Sequence, residues 1–329
     1  MFKKYSEIEN ATQKNVDFIV SSGFSGGQWV VENKCHGSCF SLIVNKEGIQ
    51  AARKEDIIGE NEKFYNHKPV VEKYRDKAMA LFNHLNKEKG YSEITIFGEL
   101  FGGLFPNMKS EGTKIQSGIA YAPFNDFYSF DIFTHEDGYM NVLERNDLLE
   151  RFGFFWAKPI FIGSFQECLS YPNMYLDPIS EWLGLPQVEG NTNEGNVIKP
   201  LESKYFSDNS RVILKNKNSK WSEKVHTPKV KTEIVLSEEG DRLHNEILSY
   251  LNENRLHCVL SKLGEIKQNE FAKVMGAYSE DLWKDALKDN REAWETLPAE
   301  EQKKISKSVG QSTATLIRGR FNDILDGSF

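Results

Sequence analysis

The chain has 329 residues, 39% of them hydrophobic and 27% charged, and carries a net charge of −7, the make-up of an ordinary globular protein with room for about two domains. No apolar run approaches the roughly 18 residues of a membrane span, and residues 1–7 turn polar too early for a signal peptide. The acidic balance excludes a generic nucleic-acid coat, and Cys35, Cys39, Cys168 and Cys258 lack disulfide-framework or zinc spacing, so reduced thiols and a cytoplasmic location are expected. Residues 1–28 are polar and end at Gly26-Gly27, a turn into a β-prone stretch at 29–32. Phe40, Leu42 and Val44 then recur with the period of two that buries one strand face, so residues 29–44 read as two strands joined by a tight polar connection. Lys34 sits in that connection, three residues before Gly37. A lysine at a strand end, beside a glycine that lets the backbone turn closely, can be a nucleophile next to a bound phosphate; it can equally be a surface lysine leading into a hairpin.

Residues 50–54 make a further short segment ending in the basic pair Arg53-Lys54. Pro69 suits the first turn of a helix, and Val70, Val71, Tyr74, Ala78, Leu81, Phe82 and Leu85 continue it with a core-facing stripe. Residues 94–101 read as a buried strand with Glu99 near its end, followed by a Gly-rich loop from Gly102-Gly103 to Pro123. Residues 127–133 alternate, which predicts Tyr128, Phe130 and Ile132 on one face. Residues 140–189 mix helix and loop, and 190–193 are loop. A short strand opens at Glu194-Gly195 and closes at Pro200, and residues 211–217 form another, with Arg211, Ile213, Lys215 and Lys217 sharing a face. Residues 199–232 hold nine Lys/Arg (199, 204, 211, 215, 217, 220, 224, 229, 231) against three acids (202, 208, 223). That excess is either one focused phosphate-binding surface or a solvated basic face. Past Pro228 the pattern turns helical: Ser237 caps, Glu238 and Glu239 fill the first turn, and Leu243, Ile247, Leu248 and Leu251 follow at helical spacing. With no strand signal after about residue 236, domains of 1–233 and 234–329 are expected.

Singly, Lys34 with Gly37, Glu99, Phe130, Glu194-Gly195 and Lys215/Lys217 each have an ordinary structural explanation. In order they compose a series: Lys34-x-x-Gly37, Phe97-Gly98-Glu99, Phe127-Tyr128-Ser129-Phe130-Asp131-Ile132, Glu194-Gly195-x-Val197-Ile198-Lys199 and Lys215-x-Lys217. The series resembles the five signatures of the covalent nucleotidyltransferases, the ligases and mRNA capping enzymes. His36 in Lys34-Cys35-His36-Gly37-Ser38 narrows the resemblance to the RNA ligase 2 family of phage double-strand RNA ligases and trypanosome editing ligases. Phe2-Lys3-Lys4-Tyr5-Ser6, Lys215-x-Lys217-Asn218-Ser219-Lys220-x-Ser222-Glu223-Lys224 and Phe271-Ala272-Lys273-Val274-Met275-Gly276 extend it over nearly the whole chain. One departure is Cys39, where the phage relatives carry Asn; a thiol is the weaker hydrogen-bond donor.

The resemblance implies an α+β architecture: an antiparallel-sheet nucleotidyltransferase domain, then a small all-helical domain that positions RNA ends. It implies an ATP-dependent RNA ligase that seals 3′-OH/5′-phosphate nicks in duplex RNA, through a lysyl-AMP and an RNA-adenylate, in RNA repair. Lys34 is the implied catalytic nucleophile. Asn33, Cys35, Cys39, Arg53, Glu99, Phe130, Glu194, Lys215 and Lys217 are implied to bind ATP or AMP, and His36, Gly37 and Ser38 to shape the loop. Glu194, with Glu99 through water, is implied to hold Mg²⁺ or Mn²⁺. Because lysine is ordinarily protonated, with a pKa of about 10.4, Lys215, Lys217, Arg53 and the metal are expected to depress the pKa of Lys34. The basic run 199–231 is expected along the RNA, the chain as a monomer without membrane contact, and the location as cytoplasmic, the host cytoplasm for a phage protein. A DNA ligase or GTP-using capping enzyme would normally add a stranded OB barrel, which 234–329 do not predict. An idle RNA-binding module would have no use for Lys34, Glu99, Glu194, Lys215 and Lys217 together.

Overall fold

The computed structural model describes residues 2–221 and 236–329. The motif residues Ser222, Glu223 and Lys224, the basic residues Lys229 and Lys231, Pro228 and the expected 233/234 boundary lie outside the described residues. The chain divides into two compact units, Met1–Lys220 and Trp221–Phe329.

The first unit begins with the two-residue strand β1 (Glu9–Asn10) and the helix α1 (Gln13–Ser21), capped by the Thr12 hydroxyl. Strands β2 (Trp29–Asn33), β3 (Ser38–Asn45) and β4 (Gly48–Arg53) follow, then helix α2 (His67–Lys89). Next come β5 (Glu93–Leu104), β6 (Ala122–Thr134), β7 (Gly138–Tyr139) and α3 (Val142–Arg151). The unit closes with β8 (Pro159–Gly163), α4 (Phe165–Ser170), α5 (Ile179–Trp182), β9 (Gly195–Pro200) and β10 (Leu214–Lys217).

These strands form two five-stranded sheets, ordered β4-β3-β5-β6-β7 and β1-β10-β9-β2-β8. Pairing is antiparallel except between β1 and β10. Although adjacent in sequence, β2 and β3 do not pair; the connection carrying Lys34 crosses from one sheet to the other. Phe40, Leu42 and Val44 of β3 bury with Ile94, Ile96 and Leu100 of β5 against the Tyr74, Ala78, Leu81, Phe82 and Leu85 stripe of α2. Full burial of each such aliphatic or aromatic side chain contributes about 1.5–3 kcal/mol, so this stripe fixes α2 on the sheet. A second core gathers Trp29 and Val31 of β2, Ile198 of β9 and Leu214 of β10 with Phe165 and Cys168 of α4.

The expected single face for Tyr128, Phe130 and Ile132 is not formed. Phe97 pairs with Asp131 while Gly98 pairs with Ser129, so Phe130 is the extra residue of a β-bulge. The bulge breaks the period of two: Phe127 and Ile132 share the α2-side core, whereas Phe130 packs with Tyr5, Phe97 and Tyr139. Gly98 permits the distortion, because a Cβ there would lie 2.3 Å from the Phe127 ring and 2.5 Å from the Tyr128 carbonyl. Three further differences have local causes. Gly102 and Gly103, at φ +88° and +91°, kink the end of β5 instead of opening the loop. β8, which pairs along β2 at the sheet edge, is short and starts at a proline, a weak signal in sequence. β10 begins only at Leu214, so Arg211 is off the strand and free to turn elsewhere.

The second unit is helical: α6 (Glu238–Leu248), α7 (Glu253–Leu263), α8 (Phe271–Thr296) and α9 (Ala299–Asp326). The Ser237 hydroxyl accepts from the Gly240 N–H at 3.1 Å and caps α6. Leu243, Ile247, Leu256, Tyr278, Leu282 and Ile305 bury in one core. α8 is kinked at Asn290, whose backbone leaves the helical region at φ −128°. Among the described residues no strand follows Lys217. The architecture is α+β, with largely antiparallel sheets followed by a helical region.

Candidate active site

Lys34 leaves the end of β2, and its backbone N–H donates to the Gly195 carbonyl at 3.0 Å. That bond brings it beside Glu194, just before β9. Lys34 Nζ lies 2.7 Å from Glu194 Oε2, and Lys217 Nζ, from β10, lies 2.9 Å from Glu194 Oε1. His36 Nδ1 stands 3.5 Å from the same carboxylate. The lysine of the first signature, the glutamate of the fourth and the second lysine of the fifth thus meet. Gly195 makes the junction possible: it sits at φ +143°, and a Cβ would be 2.3 Å from the Asn216 carbonyl.

The charges settle in an order the sequence does not predict. Burial, the largest influence, and Lys217 pull the Lys34 pKa down, but the Glu194 and Glu99 carboxylates together outweigh them, and the pKa is raised. Of the cations expected to depress it, Lys217 does so, but the neighbouring carboxylates prevail and the net shift is upward. Against the cost of its own burial, Lys217 and Lys34 hold Glu194 well below the usual carboxylate range. Burial lowers the pKa of His36 despite its contact with Glu194.

Glu99 faces this group from the other sheet. Its Oε1 accepts the Gly37 N–H at 3.2 Å, which ties the lysine loop to β5. Gly37 is needed for that approach, since a Cβ would come within 2.3 Å of the Leu100 carbonyl. Burial, and secondarily Glu194, push the Glu99 carboxyl up to about 7, against the pull of Lys34. Such a group lacks sufficient positive charge beside it. Glu99 and Glu194 offer hard oxygen donors, and the under-compensated charge of Glu99 suits a divalent cation. Among the described residues, no cage of three or more His, Cys, Asp or Glu side chains is preformed. Cys39 lies opposite Glu99 in the β3–β5 register and packs beside Phe130; burial pushes its thiol up to about 12. Cys35 and Ser38 are buried.

Several residues that hold the site in place give no signal in the sequence. Asn33 donates through Nδ2 to Asp177 Oδ2 at 2.9 Å and accepts from Tyr175 Oη at 3.1 Å, while its carbonyl accepts from Tyr128 Oη at 3.3 Å. Tyr121 Oη accepts the His36 N–H at 2.7 Å. Asn193 donates to the Gly195 carbonyl at 3.0 Å, and the Asn218 N–H donates to the Glu194 carbonyl at 3.1 Å. Tyr121, Tyr175, Asp177 and Asn193 have neither period nor spacing to mark them.

Other expected residues have surroundings of their own. Arg53, at the end of β4, pairs with Asp56 and with Glu62 at 2.6 Å. Lys215 precedes Lys217 by two on β10 and pairs in register with Val197. Phe130 stands on the bulge, its ring 5.1 Å from that of Tyr5. Among the described residues, the basic run does not form one outward surface. Lys199 and Arg211 are buried on Asp131 at 3.1 and 2.7 Å, Lys217 is on Glu194, and Lys204 Nζ donates to the carbonyls of Phe24 and Gly26. Lys199 and Arg211 are thus committed to a buried carboxylate instead of to an outward face.

A family model described as RNA ligase matches residues 27–217. The chain belongs to the RNA ligase family. A second model, described as T4 RNA ligase 2 C-terminal, matches residues 234–315 and puts the chain with the RNA ligase 2 branch. This RNA ligase family member is 23% identical to the mitochondrial RNA-editing ligase 2 of Trypanosoma brucei brucei, over 99% of the chain and 92% of that protein. It is 25% identical to the mitochondrial RNA-editing ligase 1 of the same organism, over 88% of the chain and 75% of that protein. Among solved structures, the Naegleria gruberi RNA ligase with PPi aligns at a TM-score of 0.47 and 15% identity over 67% of the chain. The chain spans 57% of that ligase's length. No described helix is long and apolar enough to cross a membrane.

Proposed function

We propose that this RNA ligase family member uses ATP to seal 3′-OH/5′-phosphate nicks in duplex RNA, as a monomer acting in RNA repair in the cytoplasm. The observation that carries the reading is the convergence of Lys34, Lys217 and Glu194 within 2.9 Å contacts, with Glu99 facing them across the sheets. A lysine beside two carboxylates and a second lysine suits phosphoryl chemistry, where positioning and charge neutralisation do most of the work.

Deprotonated Lys34 Nζ attacks the α-phosphorus of ATP; the bond to the bridging oxygen breaks, and pyrophosphate leaves with its electron pair. AMP is then joined to Nζ through a phosphorus–nitrogen bond. Glu194 and Glu99 would hold Mg²⁺ or Mn²⁺, which neutralises triphosphate charge and competes with the Lys34 ammonium for Glu194. Phe130 presents its ring to adenine, the main chain of Asn33 and Cys35 meets the base edge, and Lys215, Lys217 and Arg53 meet phosphates. His36, Gly37 and Ser38 fix the loop, and Cys39 borders the site. An RNA 5′-phosphate oxygen next attacks the same phosphorus and releases Lys34. The 3′-OH finally attacks the RNA 5′-phosphorus, loses its proton, and expels AMP.

The test is incubation with α-labelled ATP or GTP and Mg²⁺, then a denaturing gel and a chase with nicked RNA. Label on the protein from ATP alone, moving to the RNA 5′ end, supports the reading; Lys34→Ala carries none. A second pair of duplexes differs only in the terminal sugars of the 3′-OH strand. Loss of the 2′-OH is expected to slow sealing about tenfold to a hundredfold if a buried polar group pairs with it. Equal sealing of both makes this a general polynucleotide ligase.

A further inference from the structure

Behind the site, away from the Lys34–Glu194 contact, lies a wholly buried set of charges. Glu32 on β2, Asp131 on β6, Arg145 on α3, Lys199 on β9 and Arg211 are all buried, Lys199 at 1% exposure. Lys199 is the hub. Its Nζ lies 2.9 Å from Glu32 Oε2 and 3.1 Å from Asp131 Oδ1, and donates to the Phe130 carbonyl at 3.1 Å. An ammonium has three N–H donors, and all three are used. Arg145 reaches the same Phe130 carbonyl and pairs with Glu32 at 2.5 Å. Arg211 pairs with Asp131 at 2.7 Å, and Tyr5 Oη donates to Asp131 Oδ2 at 2.6 Å, which sets the Tyr5 ring against the Phe130 ring.

A buried ion cluster gives little net stability over an apolar core of the same shape, so its value here is geometric. Phe130 is the extra residue of a bulge, and no strand partner fixes its carbonyl. Lys199 and Arg145 supply that fixation, and Lys199 alone does so from β9, the strand that begins one residue after Glu194. We infer that Lys199 is a positioning residue: through the Phe130 carbonyl and Asp131 it sets the Phe130 ring, on one sheet, at a fixed place relative to Glu194, on the other. This rests on the nucleotidyl-transfer reading, since it assigns Phe130 a nucleotide to hold.

The test uses the full chain and measures the ATP dependence of self-adenylylation together with thermal melting. Lys199→Met is expected to raise the KM for ATP about threefold to tenfold, the size of one aromatic contact, with kcat at saturating ATP nearly unchanged. Phe130→Leu should raise KM similarly, and the double variant should be no worse than the worse single, because both changes remove one interaction. Tyr5→Phe keeps the ring and loses the hydroxyl's bond to Asp131 together with the one it accepts from Arg211, so it serves if Lys199→Met does not fold, with a KM rise of about twofold expected. A lower melting temperature with unchanged KM in the folded variants overturns the inference in favour of a purely structural cluster. Additive KM effects of Lys199→Met and Phe130→Leu also overturn it, as does a reduced salt slope of RNA sealing at unchanged KM, which would make Lys199 a phosphate contact. Absence of any label on the wild-type protein instead removes the function on which the inference rests.

Discussion

Opposing influences act on the Lys34 ammonium: burial and Lys217, which favour the neutral amine, and the carboxylates of Glu194, at 2.7 Å, and Glu99, which favour the cation and together prevail. Without substrate the nucleophile is stored in its unreactive form. Glu194→Gln removes the opposing anion, so the Lys34 pKa should fall and its neutral fraction rise. An opposite charge at this range shifts a pKa by about 1–3 units, so acetylation of Lys34 near neutral pH, followed by mass spectrometry, should run at least about tenfold faster in the variant. No change would mean Glu194 does not hold the proton there. Glu99 gives a second signature. Its folded pKa of about 7 exceeds the unfolded value of about 4.3. The folded chain therefore retains a proton that the unfolded chain loses, and stability falls as pH rises through that window. Glu99→Gln imitates the protonated form, so at about pH 8 it should raise the unfolding free energy by up to roughly 3 kcal/mol, read as a higher melting temperature, and change little at about pH 4.

At the scale of elements, close approach by glycine decides what the strands can do. Gly37→Ala drives a methyl against the Leu100 carbonyl at 2.3 Å and pushes the nucleophile loop away from β5. A displacement near 1 Å costs on the order of a hundredfold in rate; circular dichroism should stay native while label transfer falls by that order. Gly276 is the opposite case: it is exposed within α8, and a Cβ there meets nothing within 4 Å. Gly276→Ala should stabilise the helical unit by about 0.5–1 kcal/mol, read as a higher urea midpoint of the full chain. The same elements show what the sequence makes legible. The α2 stripe and the Phe40, Leu42, Val44 face follow from periodicity, because burial imposes the period directly. The face of Phe130 does not, since one bulged residue inverts the parity of everything after it. The fate of Lys199 and Arg211 is likewise hidden: a lysine on an RNA surface and a lysine on a buried Asp131 look alike until the distant carboxylate is located.

For the whole molecule, the atoms proposed for nucleotide chemistry all belong to the unit Met1–Lys220. A chain ending at residue 231 should still take label from ATP, while sealing nicked RNA poorly if the helical unit positions the ends. Equal sealing by the shortened and full chains would remove that role from residues 234–329. The two sheets also differ in how far apart in sequence their strands lie. One is built from the contiguous stretch between β3 and β7, residues 38–139, whereas the other joins residues 9–10 and 29–33 to 195–200 and 214–217. On the ribosome, the first sheet can pair as soon as β7 emerges. The second must wait for roughly 80 more residues, on the order of ten seconds at typical elongation rates. Lys34 is made long before Glu194 and Lys217, which reach it among the last of the unit. A prematurely terminated chain can thus own a folded sheet and a nucleophile without any ability to charge it, which delays reaction with nucleotide until the unit is fully synthesised.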